Sequence, residues 1–407
     1  MPGNLLSIDA LLIAAAAWLA IGLCGLVAPR NAAFISRVLF PLGAAVGIGM
    51  GVAALNALGG EAQTAVLVIG LPDLPFHLRL DNLSAVFALL LGFASAGISI
   101  YAAGYFRKGA GASPGVLCLE YHLFLASMLM VLLADDAYAF MVAWETMALS
   151  SFFLVTTDHK HEEIRRAGFL YLLIAHIGAI GILLSFGVMT GGAGDYSFAA
   201  MRTQELAPFW SSAAFLLALA GFGAKAGLVP LHVWLPEAHP AAPSPVSAMM
   251  SGVMLKTAIY GLLRVSFDLL HTTIWWWGVV ALVVGLVTAL FGVLYATVQN
   301  DMKRLLAYSS IENIGLIAVG IGLTLIFHAY RMEALAALAM TAVLYHSLAQ
   351  DFQKPFDAPA ILVVGHQTDG KSGEELASEK PWHRSVRAWG VREKTAVAGA
   401  RAGVPGW

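Results

Sequence analysis

Apolar residues in this chain come in long runs separated by short polar connections. Each run is roughly 20 residues long, which is the length a helix needs to cross a bilayer. The pattern predicts an all-α polytopic membrane protein with about eleven transmembrane helices. The predicted helices are 9–28, 35–58, 82–105, 117–134, 137–156, 167–189, 209–228, 242–264, 275–298, 305–327 and 331–348.

Composition excludes a soluble globule, because 59% of the 407 residues are hydrophobic and only 12% are charged. The first run lacks a basic segment before it and a small-residue cleavage site after it. It is therefore expected to be a retained span and not a cleaved signal peptide. Cys24 and Cys118 lie in apolar runs without metal-ligand spacing, so we assign them to packing.

The basic residues predict the orientation of the chain, because Lys and Arg accumulate in the inner connections of membrane proteins. With the N-terminus outside, nine basic residues lie in inner connections and four in outer ones. This favours an outside N-terminus. The expected location is the inner (plasma) membrane of a prokaryote. The inner residues are Arg30, Arg37, Arg107, Lys108, Lys160, Arg165, Arg166, Lys303 and Arg304; the outer ones are Arg79, Arg202, Arg264 and Arg331.

Two lysines lie in apolar spans on either side of a proline-rich stretch. Five of the chain's 16 prolines fall within Pro230–Pro245. Proline interrupts helical hydrogen bonding, and such a break persists at membrane depth only where protein or water satisfies the freed groups. A lysine inside a span usually faces the interior and is functional. We predict a proton path over Lys225, His232 and Lys256; the alternative is that each lysine extends to an interface or anchors a helix contact.

The fifth run contains a carboxylate in its middle, Glu145, which needs a partner in the membrane. Lys225 is the expected partner, since opposite charges keep each other ionised while desolvation favours the neutral forms. A pair balanced in this way can change state when a proton arrives. The alternative is a static ion pair between two helices, although buried pairs stabilise poorly.

Further polar residues could extend this path, since histidine can relay protons near neutral pH, although a single buried histidine more often serves packing. Asp135 and Asp136 lie at a span end and are expected to be solvated caps on the outer side. Phosphate loops, CxxC pairs, zinc spacings and nucleophile elbows are absent from the sequence, so no cofactor, metal or catalytic site is expected. The possible extensions of the proton path are His176, Glu312, His328 and His346.

Four segments resemble one protein family, the proton-pumping antiporter-like subunits shared by NADH:quinone oxidoreductase, multisubunit cation/proton antiporters and membrane-bound hydrogenases. The resemblance covers about residues 80–350. Within the family, ETMALSSFFLV (145–155) and SIENIG (310–315) are similar to the hydrogenase-4 component B and formate hydrogenlyase subunit 3 branch. The four segments are Trp144–Glu145, AKAGLVPLHVWLPEAHPAAPSPVSA (224–248), LKTAIYGLLR (255–264) and NDMKRLLAYSSIENIG (300–315).

The resemblance implies roles for individual residues. Glu145 matches a glutamate of the fifth helix that tunes the protonation of a lysine in the broken seventh helix, matched by Lys225. Lys256 matches the lysine of the eighth helix, which passes protons toward the centre. His232 lies where family members often keep a polar residue in the break. The family fold contains two inverted five-helix repeats, each with one broken helix.

The implied organisation is one complete five-helix repeat with its broken helix, followed by part of a second inverted repeat. The parts are an N-terminal two-helix segment with an outer loop (1–80), a third helix with an inner loop (81–116), the first repeat (117–264), the partial second repeat (265–348) and a tail (349–407).

The tail departs from the family pattern. Residues 351–407 hold eight Lys/Arg and seven Asp/Glu, against 15 and 18 in the first 350 residues. Codons for Asp351–Asp357 read one base later permit TFKSLLM, which resembles the run that family members have here. A frameshift near 349–351 is therefore one hypothesis, and a genuine divergent cytoplasmic tail is the other. Under either, few large apolar residues predict poor order.

Three functional hypotheses follow. The leading one is a proton- or cation-translocating subunit of a respiratory or hydrogenase oxidoreductase complex, driven by electron transfer in partner subunits. The second is a subunit of a sodium/proton antiporter, and the third is a truncated membrane anchor without transport. The expected partners are other membrane subunits, a peripheral redox arm of hydrogenase or NADH dehydrogenase type and the bilayer, with no nucleic acid.

Overall fold

The computed structural model describes residues 6–71, 74–108, 112–192, 194–270 and 274–368. Within these residues, ten helices are long and apolar enough to cross a membrane. They are α1 (Ser7–Val27), α2 (Ala32–Ala57), α3 (Asn82–Tyr105), α4 (Pro114–Leu133), α5 (Ala137–Val155), α6 (Glu162–Met189), α7 (Pro208–Ala226), α8 (Ser244–Leu269), α9 (Trp275–Thr297) and α10 (Met302–Ala329).

The last helix, α11 (Glu333–Thr368), begins where the eleventh apolar run was predicted. It continues past residue 348, so the first part of the predicted disordered tail is helical as far as Thr368. The rest of the predicted tail, 369–407, lies outside the described residues.

A β-hairpin lies between α2 and α3, where the sequence predicted an outer loop. Strand β1 (Gln63–Leu71) pairs antiparallel with β2 (Leu74–Leu80). The Thr, Val and Ile residues of β1 favour a strand, and this signal was available in the sequence. The hairpin reaches the α4–α5 connection, where the amide of Asp135 donates to the carbonyl of His77 at 2.8 Å. The fold is mostly helical but not purely so.

Helix α8 is the central element of the bundle. The apolar window of this helix is entirely buried, whereas that of α9 is 28% buried. The chain of α8 contains two π-helical stretches, Met250–Met254 and Arg264–Leu269. Such stretches shift the register of a helix and often accompany functional residues. Lys256 lies two residues after the end of the first of them.

Two glycines allow α6 and α7 to pack closely. A Cβ atom placed on Gly178 would lie 2.8 Å from the carbonyl oxygen of Gly221, and one placed on Gly221 would lie 2.7 Å from that of Gly178. Small residues permit this close approach of membrane helices. The contact fixes how α6 and α7 are rotated against each other, and so which residues of α6 face Lys225.

The predicted helix break follows α7. The helix ends at Gly227, whose φ of +87° is in the left-handed region that favours glycine. A short helix, Leu235–Ala241, which we call the break helix, then precedes α8.

Neighbouring side chains satisfy backbone groups that the break leaves free. The indole nitrogen of Trp234 donates to the carbonyl of Ala224 at 2.9 Å. The hydroxyl of Thr288, on α9, accepts from the amide of Val229 at 3.1 Å. Protein groups therefore supply part of the hydrogen bonding that an irregular segment at membrane depth requires.

Candidate functional site

Lys225 lies in the interior, with 2% of its surface exposed. Its Nζ donates a hydrogen bond to Tyr171 Oη at 2.7 Å and lies 4.7 Å from the centre of the Tyr171 ring. The Trp144 ring is 6.0 Å away. Aromatic faces attract a cation and leave it few strong acceptors. The ammonium is therefore held by one hydroxyl and two rings, a setting in which both the charged and the neutral form can be accommodated.

Glu145 is not the direct partner of Lys225 that the sequence predicted. Its Oε2 pairs with His176 Nε2 at 3.5 Å, and the two side chains are 30% and 48% exposed. The hydrogen-bond partner of Lys225 is Tyr171. The charge of Glu145 still acts on Lys225, but through space. The correction arises because Glu145 points toward α6 and the outside of the bundle, and sequence spacing does not determine that rotation.

His232 lies in the break and is 8% exposed. Its ring packs against Phe291 at 4.5 Å between centroids, and its Nδ1 has no hydrogen-bond partner among the described residues. The histidine lines a cavity of 780 Å³. We call it the inner cavity, because its arginines lie in connections that the sequence predicts to face inside. Other residues that line it are Glu163, Arg166, Val233, Glu237 and Arg304.

The inner cavity is bordered by basic residues that the charge distribution placed on the inner side. Arg304 pairs with Glu237 across it at 3.2 Å, and both side chains are partly exposed. A cavity with charged walls at a membrane surface admits water. The imidazole of His232 at its wall can therefore exchange a proton with that water.

Lys256 is the second buried lysine, with 1% of its surface exposed. Its Nζ donates to the carbonyl oxygen of Ser251 at 3.0 Å, within the π-helical stretch of α8. The charge of Lys256 acts on His346 of α11. His346 Nε2 in turn lies 2.9 Å from Asn313 Oδ1. The structure thus brings His346 toward the interior path as a possible extension.

The other two possible extensions differ in position. Glu312 is half-buried on α10, where its backbone packs against Gly292 of α9. His328 lies at the last turn of α10, with Nδ1 3.5 Å from Glu333 Oε2 and both side chains largely exposed. His328 therefore does not join the interior path.

A group of five charged residues lies at the end of the bundle predicted to face outward, and we call it the outer cluster. Arg264 donates to both carboxylate oxygens of Asp81, at 2.6 and 2.9 Å, and to Asp268 at 3.0 Å. Arg202 donates to Asp268 at 2.9 Å and to Asp135 at 2.6 Å. The cluster ties the hairpin end, the α4–α5 connection and the end of α8 together.

The outer cluster corrects the expectation that Asp135 and Asp136 are solvated. Both residues are buried. Asp136 does cap α5, accepting from the amide of Ala139 at 2.6 Å, and it also accepts from the amide of His77 at 2.7 Å. The partners are distant in sequence: Asp136 bonds to His77 of the hairpin, and Asp135 bonds to Arg202, 67 residues away. Local sequence could therefore not reveal them.

Acid is expected to weaken the outer cluster. Burial disfavours the Asp81 carboxylate, but hydrogen bonds from Arg264 and its charge outweigh burial and hold the pKa of Asp81 well below its usual range. This contribution to stability is complete above the unfolded-state pKa of about 3.9 and is lost as pH falls through the lower folded-state value. The thermal midpoint in detergent should therefore drop below about pH 4.

Asp81→Asn is the matched variant, because asparagine also caps a helix N-terminus. It should be less stable than the parent at neutral pH and should lose less additional stability in acid. Equal acid sensitivity of the two proteins would contradict the assignment to Asp81.

Among the described residues, no group of three His, Cys, Asp or Glu side chains could hold a metal ion. The arrangement of charged groups consists of two buried lysines, a histidine at a wet cavity and hydroxyl partners. It can hold and pass protons or bind a small cation, and it offers no nucleophile–base pair.

Fold and site together define a multi-pass membrane protein with a broken helix beside a buried lysine. A profile of the family described as "NADH:quinone oxidoreductase/Mrp antiporter, TM" matches residues 134–350. The chain belongs to this family, which confirms the resemblance predicted from its four segments.

Similarity to individual relatives supports the family assignment. The chain is 41% identical to hydrogenase-4 component B of Escherichia coli over 75% of its length and 46% of that protein. It is 32% identical to formate hydrogenlyase subunit 3 of Escherichia coli, over 67% of its length and 43% of that protein. The chain thus spans less than half the length of these relatives. The structure of the Mrp complex from Dietzia aligns with a TM-score of 0.73 at 28% identity, covering 88% of this chain and 38% of that one.

Proposed function

We propose that the chain is a proton-translocating membrane subunit of an oxidoreductase complex of the hydrogenase type. The observation that carries the proposal is the set of buried ionisable groups around the broken helix, Lys225, His232 and Lys256. Burying a lysine in a membrane protein is costly, so two of them beside a break at membrane depth indicate a transport path. The similarity to hydrogenase-4 component B supports the choice of complex.

The proposed path begins at the inner cavity. Water there exchanges a proton with His232, which passes it toward Lys225. Lys225 passes the proton through the interior to Lys256, and His346 is the possible continuation of the path. Glu145, which is paired with His176, acts on Lys225 through space and biases its charge state. The start at the inner cavity takes the N-terminus to be outside, the orientation that the basic residues favour.

The exposed Glu145–His176 pair supports a further membrane subunit as partner. Both residues lie in the middle of apolar helices, yet nearly half of the His176 side chain is uncovered. A carboxylate at this depth is unfavourable against lipid. We propose that another membrane subunit covers this face of α5 and α6 in the assembled complex. The peripheral redox arm of that complex supplies the free energy for proton translocation.

A sodium/proton antiporter subunit is the second candidate, favoured by the similarity to the Mrp complex. The two proposed functions are distinguished by measuring acidification of inverted membrane vesicles from cells that express the chain and from cells that lack it. The hydrogenase-type proposal expects proton uptake that needs an electron donor and is independent of sodium. Sodium-driven proton movement without any donor would favour the antiporter, and no difference between the two vesicle types would refute transport.

Accessibility of the inner cavity tests the orientation and the proposed start of the path. Val233 lines the cavity and is partly exposed. In a protein with Cys24→Ser and Cys118→Ser, Val233→Cys should react with a charged maleimide in inverted vesicles and not in right-side-out vesicles. The buried Met249→Cys is the control and should react in neither. Reaction of Val233→Cys from the outer side would contradict both the orientation and the path.

A further inference from the structure

Two hydroxyl groups continue the hydrogen bond of Lys225 toward α5. Tyr171 Oη lies 2.5 Å from Ser151 Oγ, and the Ser151 hydroxyl reaches the carbonyl oxygen of Met147 at 2.6 Å. Tyr171 and Ser151 are both completely buried. The row Lys225–Tyr171–Ser151 thus joins α7, α6 and α5. In such a buried row every donor and acceptor must be paired, because an unpaired group is costly.

Counting hydrogens favours one direction of the row when Lys225 is charged, because the Ser151 oxygen is a better acceptor than the Met254 sulfur. An ammonium only donates, and each hydroxyl has a single hydrogen. Tyr171 Oη therefore accepts from Nζ and donates its own hydrogen to Ser151 Oγ. Ser151 in turn donates to the Met147 carbonyl. Every group in the row has a partner in this arrangement.

The same positions also suit a neutral Lys225 if the row reverses. A neutral amine has a lone pair that can accept a hydrogen bond. Tyr171 then turns its hydrogen toward Nζ, and Ser151 turns its hydrogen from the Met147 carbonyl to Tyr171 Oη. One proton leaves Nζ along the path, while both O–H bonds stay intact and only rotate.

The surroundings hold the tyrosine ring while leaving its hydroxyl free to rotate. The ring packs against Trp234 at 4.9 Å between centroids, and the Trp234 indole is fixed by its bond to Ala224. Met254 Sδ, 3.7 Å from Tyr171 Oη, is a weak alternative acceptor on α8. On α5, Glu145 is the charged group whose field reaches both Lys225 and Tyr171.

We infer that Tyr171 and Ser151 are positioning residues for Lys225, forming a hydroxyl row that reverses each time Lys225 gains or loses its proton. This rests on the proposed function, in which Lys225 changes charge in every cycle. The row stabilises both charge states in one fixed geometry. Lys225 can then exchange a proton without movement of the helices around it.

Infrared difference spectroscopy of the purified protein or complex, recorded between mildly acidic and mildly alkaline pH, tests the row directly. Isotope-labelled tyrosine identifies the phenol C–O stretch, which differs between a hydroxyl that accepts and one that donates. The wild type should show a tyrosine band that shifts with pH. The band shift should be absent in Tyr171→Phe and in Lys225→Met, and altered in Ser151→Ala.

Two matched variants serve as controls. Ser150→Ala removes the neighbouring hydroxyl, which donates to the carbonyl of Thr146 and not to Tyr171. Tyr121→Phe removes another buried tyrosine, which is bonded to Ser99. Both should keep the band shift. A band shift that persists in Tyr171→Phe or Lys225→Met, or that is missing from the wild type, would overturn the inference.

Proton flux, measured separately, distinguishes this inference from the proposed function. Tyr171→Phe should slow proton translocation by about tenfold, since a hydrogen bond to a charged group is lost. If the band shift depends on Lys225 but the protein shows no proton flux, the hydroxyl row is supported and the proposed function is refuted. Flux without the band shift would refute the row alone.

Discussion

Replacing Lys225 by methionine is expected to lower the rate of proton translocation on the order of 100-fold or more, which is the scale of losing a positioned proton-transfer group. Methionine is unbranched and fills a similar space. Lys225 has a hydroxyl and two rings as neighbours and, among the described residues, no direct ion-pair partner. Its removal therefore leaves none of these residues as a carboxylate without its cation. The protein should therefore still fold and assemble, and fluorescence quenching in inverted vesicles measures the rate.

Lys160→Met is the matched control, because it removes an exposed lysine of an inner connection by the same substitution. It should leave translocation close to that of the wild type. If Lys225→Met kept most of the wild-type rate in fully assembled complex, Lys225 would not lie on the proton path.

Replacing Arg264 by methionine is expected to cost about 3 kcal/mol of stability, the lower end of the range for breaking a buried ion pair. Arg264 is buried and donates to two carboxylates, so its loss leaves Asp81 and Asp268 without their shared cation. Arg202 still pairs with Asp268, which keeps the loss from being larger. Thermal unfolding in detergent measures the change.

A double variant separates the ion pair from simple loss of packing. Combining Arg264→Met with Asp81→Asn should cost less than the sum of the two single changes, because each removes the same interaction. Arg30→Met, at an exposed arginine, should have little effect. Strict additivity of the two changes would contradict the pairing between Arg264 and Asp81.

The sequence predicted the helices and the break well, because both depend on local properties. Apolar runs of bilayer length identified the spans, and the prolines identified the break that follows α7. Charge in an apolar run identified Lys225 and Lys256 as interior residues, and both are buried. These inferences needed only the thickness of a membrane and the chemistry of the backbone.

Partners of the functional residues could not be predicted in the same way. Tyr171 lies in an unremarkable apolar run, and the packing of α6 on α7, where Gly178 meets Gly221, brings it beside Lys225. Glu145 was paired with the wrong residue because a sequence gives the spacing of residues along a helix but not how one helix is rotated against the next. The outer cluster joins residues far apart in the chain, which leaves no local pattern, whereas the β-branched residues of β1 did carry a local strand signal.

The number of protons translocated per electron, compared between wild-type complex and Lys225→Met with the electron-transfer rate recorded in the same vesicles, tests the central claim most directly. The account predicts that the ratio falls in the variant while electron transfer in the presence of a protonophore continues. An unchanged ratio in the variant would show that protons do not pass through Lys225.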